Sequence, residues 1–456
     1  MNAIIFAAVW GVIMMYTGVV SRRKSVPKYV AITGMAGLIL VTWLEYAGLP
    51  FFSIPLNGML EFSAFSLVIC LVMFVSTLFY FLLSGSDVEE VGNYTADYFA
   101  LVFFVLCGAA IVTAFKSLLM LFLGIEILSI PLYILAASDK RNLKSNEAGL
   151  KYLLMGSFST GLMLMGIALV YGATGTFFTD GISMGSIAPS ALLMAGLVLM
   201  LISMAFKVSA APFHFWTPDV YDGSPAVFTS FMATVVKGAA FVGFLRLFEN
   251  AFGKLHPQWQ LLLAVVTAAT LIIGNLTAVF QQSVKRMLAY SSIAQAGFML
   301  FAIFALNNTG KQGLTLYVAA YSLATIGIFA VLMRMKDYTY EGFNGLARHQ
   351  PLVAALLSLF LLSLAGIPLT AGFFAKYYML LAALKTGTMF WLVILGVICA
   401  AISVYYYFRV IQAMYFREGE DQGLKFSEGF KTTLLVTAVL VVLLGVHPDW
   451  LLQLLN

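Results

Sequence analysis

Long apolar runs separated by short polar connections make up almost the whole chain. A membrane-spanning helix needs about 20 mostly apolar residues, and by that measure about 14 spans follow one another. The connections leave no room for an inserted soluble domain. The predicted spans are 3–20, 29–47, 59–83, 98–115, 117–137, 148–172, 191–211, 225–248, 259–280, 286–306, 313–333, 352–384, 390–411 and 431–448. The pattern therefore predicts an all-α polytopic membrane protein.

Two of these apolar segments are broken by proline. Pro212 follows the seventh predicted span, and Pro368 interrupts the twelfth. A proline in a helix leaves the carbonyl four residues earlier without its backbone donor, so the carbonyls of Val208 and Leu364 are expected to be free. Inside a membrane such carbonyls occur only beside protein or a water-filled cavity. Broken segments at matching places in two halves of a chain indicate a transport site.

Composition supports the membrane assignment and excludes a soluble enzyme. Of the 456 residues, 62% are hydrophobic and 10% are charged, whereas soluble domains carry about 25% charged residues. The three cysteines, Cys70, Cys107 and Cys399, lie in apolar runs without the spacing of a disulfide, zinc or iron–sulfur site. The sequence has no Gly-rich nucleotide fingerprint, so we expect no cofactor and no metal on this chain.

The distribution of basic residues predicts the orientation. The first apolar run precedes Arg22, Arg23, Lys24 and Lys28. This order is the reverse of a signal peptide, so we expect no cleavage and an N-terminus on the outer side. The connections that this topology places inside hold most of the 25 lysines and arginines. The net charge of +5 is therefore explained by basic residues in the inside connections of a membrane protein, and it does not require a nucleic-acid partner.

Besides the basic residues of the inside connections and the outer ends, four lysines fall inside predicted spans, Lys151, Lys207, Lys237 and Lys376, and Glu126 is the carboxylate deepest in a span. Lys237 is too far from either helix end for its side chain to reach water. Charges at such depth usually face a bundle interior or mark a proton relay. The alternative is a buried ion pair between Glu126 and Lys207 that only fixes packing.

Two further residues remain open between a relay and a structural role. His214 lies in the apolar break close to Lys207, where either role is expected equally. Lys151 follows Glu147 by four residues, a favourable spacing for an ion pair on a helix near the inner interface.

Three stretches carry a family resemblance. They are KVSAAPFHFWTPDVYDGSPAVFTSFMATVVKGAAF (207–241), GNLTAVFQQSVKRMLAYSSIAQAGFML (274–300) and SLAGIPLTAGFFAKYYML (363–380). Together they resemble the antiporter-like membrane subunits of respiratory complex I. The motif TPDVYDGSP resembles the sequences of the subunit N branch of that family (mitochondrial subunit 2 type) more than those of the L, M or Mrp branches.

The resemblance implies a fold of about 14 transmembrane helices with two inverted five-helix repeats, each containing a broken helix. On this chain the implied division is an N-terminal three-helix segment, two repeats and a C-terminal helix, at 1–97, 98–248, 259–416 and 417–456.

The resemblance also implies roles for the buried residues. Glu126 and Lys207 would be the interacting pair of the first half-channel, Lys237 the connecting lysine and Lys376 the residue of the second half-channel. Lys151 matches another family lysine, and His214 matches a relay histidine. Gln295 stands where some relatives carry histidine, so a glutamine–water link would replace a titratable residue.

The implied function is proton translocation in the bacterial inner (plasma) membrane, as part of NADH:quinone oxidoreductase. NADH, FMN, iron–sulfur clusters and quinone would be bound by partner subunits, and no redox chemistry would occur on this chain. The implied partners are the antiporter-like subunit M, the small K and J type subunits and the lipid bilayer. The alternatives are a Mrp-type cation/proton antiporter, a related membrane-bound hydrogenase complex, and a non-conducting scaffold that would tolerate neutral residues at the buried positions.

Overall fold

The fold is described from a computed structural model that covers residues 1–21, 25–52, 56–92, 94–184, 190–420 and 423–455. The predicted basic cluster Arg22, Arg23 and Lys24 lies outside the described residues. The described chain is almost entirely helical, as the apolar pattern predicts.

The first half of the chain runs through the helices α1 (Asn2–Val20), α2 (Val26–Tyr46), α3 (Ala64–Val91), α4 (Thr95–Ala114), α5 (Leu118–Ala136), α6 (Leu143–Thr174), α7 (Thr179–Met184), α8 (Ala191–Lys207), α9 (Trp216–Gly223), α10 (Ala226–Phe231) and α11 (Lys237–Asn250). A π-helical turn, Met232–Val236, joins α10 to α11.

The second half contains α12 (His256–Val279), α13 (Val284–Ala305), α14 (Asn308–Leu332), α15 (Leu346–His349), α16 (Pro351–Ala365), α17 (Ala371–Leu384), α18 (Phe390–Phe416), α19 (Glu428–Val446) and α20 (Asp449–Leu452). Single 3-10 turns lie at Gly253–Leu255, Glu341–Phe343 and Gln453–Leu455.

Within the described residues, 12 helices are long and apolar enough to cross a membrane. Three shorter apolar helices, α8, α16 and α17, build the two broken segments. The predicted total of about 14 spans is therefore not confirmed as a count of continuous helices, because the broken segments consist of separate pieces.

At both breaks the helix ends before the proline, α8 at Lys207 and α16 at Ala365. Val208 is the C-terminal cap of α8, and no backbone N–H of the described residues donates to its carbonyl, as predicted. One turn earlier, the indole of Trp216 donates to the Phe206 carbonyl at 3.1 Å. The prediction for Leu364 is confirmed, because its carbonyl lies at the second break and accepts a side-chain hydrogen bond.

Two sets of five consecutive spans pack in the same pattern: the first set is α4, α5, α6, α8 and α11, and the second is α12, α13, α14, the broken pair α16–α17, and α18. In the first set α4 contacts α5, α6 contacts α8, and α11 contacts α4. In the second set α12 contacts α13, α14 contacts α17, and α18 contacts α12. Each set crosses the membrane an odd number of times, so the second set begins on the opposite side and is inverted relative to the first.

The centre of the molecule lies where the two sets meet. The apolar stretches of Ala226–Asn250, α13 and α14 are 100%, 94% and 100% buried, whereas that of α18 is 33% buried. Polar side chains on the three central helices therefore face protein and not lipid.

Candidate functional site

Lys237 lies at the centre of the molecule, directly after the π-helical turn. Its side chain is 2% exposed, and its ammonium donates to the carbonyl of Ser292 at 3.0 Å and to the Ser292 hydroxyl. The ring of Tyr221 lies 5.8 Å from the Lys237 nitrogen. Single π turns occur often at functional sites. All these partners are neutral, and no carboxylate in the described chain lies within 4.0 Å of this nitrogen.

Lys376 is held at the second break. It lies on α17, is 6% exposed and donates to the Ala365 carbonyl at 2.9 Å, the last residue of α16. It also donates to the Ser403 hydroxyl on α18 at 3.3 Å and lies 4.8 Å from the ring of Phe298. The carbonyl at the end of α16 thus accepts a hydrogen bond from the lysine of α17, across the break.

Lys207 ends α8 and points toward α5. Its ammonium donates to the Ser129 hydroxyl at 3.1 Å, one turn after Glu126 on α5. In the parts of the chain that are described, Glu126 and Lys207 do not form an ion pair within 4.0 Å. The Lys207 ammonium thus binds a hydroxyl one turn from Glu126 on the same helix, and the two charges are close neighbours without direct contact.

Glu126 faces a groove between α4, α5 and α6. It lines a cavity of about 890 Å³ together with Tyr98, Ile130, Tyr133 and Leu153. Its Oε1 atom is buried and has no hydrogen-bond partner among the described residues. Because a buried polar atom requires a partner, this carboxylate can bind water or a group from a neighbouring molecule.

Among the residues that the structure describes, Lys151 and His214 make no hydrogen bond to Lys207, Lys237 or Lys376. Lys151 is 40% exposed and pairs with Glu147 at 2.7 Å, as its helical spacing predicts, and with Asp219 at 2.8 Å. His214 is buried in the break, and its Nδ1 atom has no partner within the described chain. The structure therefore places Lys151 in a surface ion-pair cluster that includes Arg286, which lies 3.4 Å from Asp219.

Gln295 links the central helices to the second break. Its amide nitrogen donates to the Leu364 carbonyl at 3.0 Å and to the Tyr407 hydroxyl at 3.0 Å, and its oxygen accepts from Tyr317. A cavity of about 10 Å³ lies between Gln295 and Lys376. Such a cavity is just large enough for one water molecule, which supports the predicted glutamine–water link.

Some site residues were missed by the sequence reasoning. Ser292, Ser403 and Tyr407 are hydroxyl partners on α13 and α18. The serine pair in AYSSIAQ, inside an otherwise apolar run, is the signal that could have identified Ser292. Lys285 and Arg246 lie near the ends of α13 and α11, yet each is only 5% exposed, and nothing in the sequence indicated that these two charges are covered by protein.

Charged residues of the connections that are predicted to lie inside gather at one end of the bundle. A cavity of about 640 Å³ there is lined by residues from connections that the sequence places inside, among them the charged side chains Asp87, Glu90, Asp139, Lys144, Asp222, Lys285, Lys336 and Asp337. These predicted inside connections therefore share one face of the molecule.

Within the described chain no group of three or more His, Cys, Asp and Glu residues is arranged to hold a metal ion. Cys70, Cys107 and Cys399 are buried on α3, α4 and α18. The residues present do not fit a metal or an iron–sulfur cluster.

Buried lysines at two broken helices and at a central π turn, inside a polytopic helical bundle, define a transport-type membrane protein. Residues 116–403 match the family model described as NADH:quinone oxidoreductase/Mrp antiporter, TM. The chain belongs to this family. It is 40% identical to the NADH-quinone oxidoreductase subunit N of Cytophaga hutchinsonii, over 99% of each chain.

Solved structures show the same fold. A chain of respiratory complex I from Thermus thermophilus with bound aureothin superposes with a TM-score of 0.85 at 32% identity, covering 99% of this chain and 98% of that one. A chain of the Mrp complex from Dietzia sp. reaches a TM-score of 0.85 at 18% identity, covering 99% of this chain and 95% of that one. The second likeness concerns the fold alone.

Proposed function

We propose that the chain is the proton-translocating subunit N of a bacterial NADH:quinone oxidoreductase, in the inner membrane with its N-terminus outside. The observation that carries this proposal is Lys237, which lies between the two inverted helix sets and contacts only neutral partners. A permanently charged, unpaired lysine at this depth would be costly, whereas one that gains and loses a proton has a function there.

The proposed path begins at the charged cavity on the inner side. Its wall contains Ser224 and Ala226, at the start of the helix that leads to Lys237. Ser224 and Ser230 each have a buried hydroxyl oxygen without a partner in the described structure. Buried hydroxyls normally bind protein groups or water, so these residues provide sites for water between the cavity and Lys237.

From Lys237 the path continues along α13 to the second break. Ser292 binds Lys237, and Gln295 lies about one turn further along α13. The water-sized cavity then separates Gln295 from Lys376. Lys207 would supply the first half of the path through its contact with Ser129. Moving one charge against 100 mV costs about 2.3 kcal/mol, which the partner subunits would supply.

The groove that holds Glu126 is the proposed contact with a neighbouring membrane subunit. Apolar side chains cover its rim, and the partner-free Glu126 oxygen lies inside it. A subunit of the small K or J type seated there would change the state of Glu126, and the charge of Glu126 would in turn act on Lys207. Subunit M would lie elsewhere on the bundle, and the residue ranges of the two repeats stay as predicted from the sequence.

The electron-transfer groups belong to partner subunits in this proposal. NADH, FMN, iron–sulfur clusters and quinone would be held there, because the cysteines of this chain lie on separate helices and the described residues form no metal cluster. The contribution of this chain is confined to holding and moving protons.

The decisive experiment uses the intact complex in proteoliposomes. Wild type, Lys237→Met and the control Lys425→Met, which removes an exposed lysine, are compared for NADH–quinone turnover and proton uptake together. Parallel loss of both in Lys237→Met supports a coupled relay. Unchanged turnover and uptake would identify a scaffold, and sodium-dependent exchange without NADH or quinone would identify the Mrp-type alternative.

A further inference from the structure

A buried arginine lies at the end of α11 that the proposed topology places outside. Arg246 is 5% exposed, and its guanidinium donates to the Ser66 hydroxyl at 2.6 Å and to the Phe115 carbonyl at 3.4 Å. Ser66 lies at the start of α3, and Phe115 is the C-terminal cap of α4. Arg246 thus joins the outer ends of three helices.

The charge of Arg246 is not neutralised by a contact. Among the residues that the structure describes, its guanidinium has no carboxylate oxygen within 4.0 Å, and its Nε atom has no partner. Nearby carboxylates pair with other cations: Glu61 with Lys116 at 2.6 Å and Glu249 with Lys311 at 2.5 Å. Arginine does not lose its proton in proteins. A neutral donor would cross-link the helices at lower cost, so the permanent charge itself requires an explanation.

Arg246 lies between Lys237 and the outer surface. The two residues are on one helix, nine positions apart, which corresponds to about 14 Å along the axis. Beyond Arg246, backbone hydrogen bonds of 2.7 to 2.9 Å tie the connections 59–61, 114–118 and 177–179 together. A proton leaving Lys237 straight outward would have to pass the guanidinium and this closed layer.

The second helix set has a related arginine at the opposite end, half-buried rather than buried, which lines a cavity of about 410 Å³. Arg409 lies on α18, the fifth member of that set, and donates to the carbonyl of Val279, the last residue of α12, at 3.0 Å. Its guanidinium lies 4.0 Å from the ring centroid of Tyr340. In both sets an arginine of the fifth helix therefore reaches the C-terminal end of the first helix. Since the sets are inverted, one arginine lies at the outer end and the other at the inner end.

We propose that Arg246 and Arg409 are fixed-charge barriers, each closing one end of one repeat to protons. Arg246 prevents a proton on Lys237 from leaving directly outward, and Arg409 prevents a proton on Lys376 from returning inward. A proton that reaches Lys237 from the inner cavity would then leave outward only by the lateral step to Lys376. This inference rests on the proposed function. A unit charge at this separation slows the passage of a second positive charge by roughly tenfold at an effective dielectric constant of about 20.

The test measures passive proton leak in proteoliposomes that hold the complex, under an imposed potassium–valinomycin potential and without NADH. We expect Arg246→Gln to raise the leak roughly tenfold and to lower the number of protons moved per NADH, while Arg246→Lys stays near wild type because it keeps the charge. Lys254→Gln, which removes an exposed charge at the same end, is the matched control. Ser66→Ala keeps the charge and removes one contact, so it should remain tight.

Three outcomes would overturn the inference. One is an assembled Arg246→Gln complex with the leak and the proton ratio of wild type. Another is equal leak in Arg246→Lys and Arg246→Gln. The third is a proton leak in Ser66→Ala as large as in Arg246→Gln. The second and the third outcome would each show that Arg246 acts through packing and not through its charge. If Arg246→Gln does not assemble, Arg409→Gln carries the same test at the other end. If vesicles with the wild-type complex do not pump protons, the proposed function is contradicted. If the wild-type complex pumps and Arg246→Gln shows no increased proton leak, only the barrier is contradicted.

Discussion

The side-chain amide of Gln295 donates to the backbone carbonyl of Leu364 at 3.0 Å, across the break of the second repeat. The same nitrogen donates to Tyr407, and the amide oxygen accepts from Tyr317. One neutral side chain therefore provides a hydrogen bond to the free Leu364 carbonyl at the break and also binds the hydroxyls of Tyr407 and Tyr317. A glutamine can do this without titrating, so it orients the path without holding a proton.

Replacing Gln295 by alanine should remove hydrogen bonds at the second break and slow proton transfer to Lys376. The Leu364 carbonyl and the two phenols would lose a buried partner, at a cost of about 1–3 kcal/mol for each group left unsatisfied. A rise of about 1.4 kcal/mol in the transfer barrier corresponds to tenfold slower pumping. Proton uptake and NADH–quinone turnover are measured together, with Gln260→Ala as the control, because the hydrogen bond of Gln260 to Thr388 is exposed. Gln295→His retains a donor and should recover most of the activity; equal activity of the alanine variant and wild type would contradict this role.

Gly366 should control the position of Lys376. Its φ of 88° is a left-handed conformation that suits glycine, and an added Cβ would lie 2.9 Å from the Lys376 Cδ atom. We expect Gly366→Ala to displace the lysine from the Ala365 carbonyl and to reduce pumping although Lys376 is retained. Gly387→Ala is the matched control, because Gly387 also has a positive φ of 66° but no atom within 4 Å of the added Cβ.

Assembly of the complex is measured for both variants by the amount recovered from membranes. The expected pattern is similar recovery, with loss of pumping in Gly366→Ala alone. An equal loss of pumping in the two variants would show that backbone strain, and not the position of Lys376, determines the effect.

The order of the spans, the two breaks and the buried lysines could be predicted because they depend on local sequence. Apolar length defines a span, and a proline removes the backbone donor of the carbonyl four residues earlier, which is why free carbonyls at Val208 and Leu364 could be predicted. The helix ends could not be predicted, because α5 continues through Pro131 whereas α8 and α16 end before their prolines, at Lys207 and Ala365. Differences of this kind lie below the accuracy of predicted helix ends.

The partners of the lysines could not be predicted, because they come from helices far away in sequence. Ser292 is 55 residues from Lys237, and Ser403 is 27 residues from Lys376. Hydroxyl residues also bind their own helix backbone in many spans, so a serine alone carries little information. The implied contact between Glu126 and Lys207 depends on the direction of two long side chains, and Lys207 instead binds Ser129.

Lys151 should contribute little to transport. It is 40% exposed, and its carboxylate partners Glu147 and Asp219 are more exposed still. Exposed ion pairs contribute only about 0–1 kcal/mol, and Asp219 keeps a second partner in Arg286 at 3.4 Å. We expect Lys151→Met to pump within about twofold of wild type, measured as proton uptake per NADH oxidised. Strong loss of pumping in a complex of normal stability would instead establish Lys151 as a relay residue.

Lys285 should be required for assembly. It is 5% exposed and donates to the carbonyls of Asp222 and Ser224, both at 2.7 Å, at the end of α9. Lys285→Met would leave both carbonyls without this partner, at about 1–3 kcal/mol for each buried group, and would loosen the connection between α9 and the helix that carries Lys237. The expected result is a lower thermal unfolding temperature and less complex recovered from membranes. Lys144→Met is the control, because Lys144 lines the same inner cavity but is exposed. Normal recovery of Lys285→Met with selective loss of proton uptake would show that Lys285 takes part in transfer, and that the inner path reaches Lys237 through it.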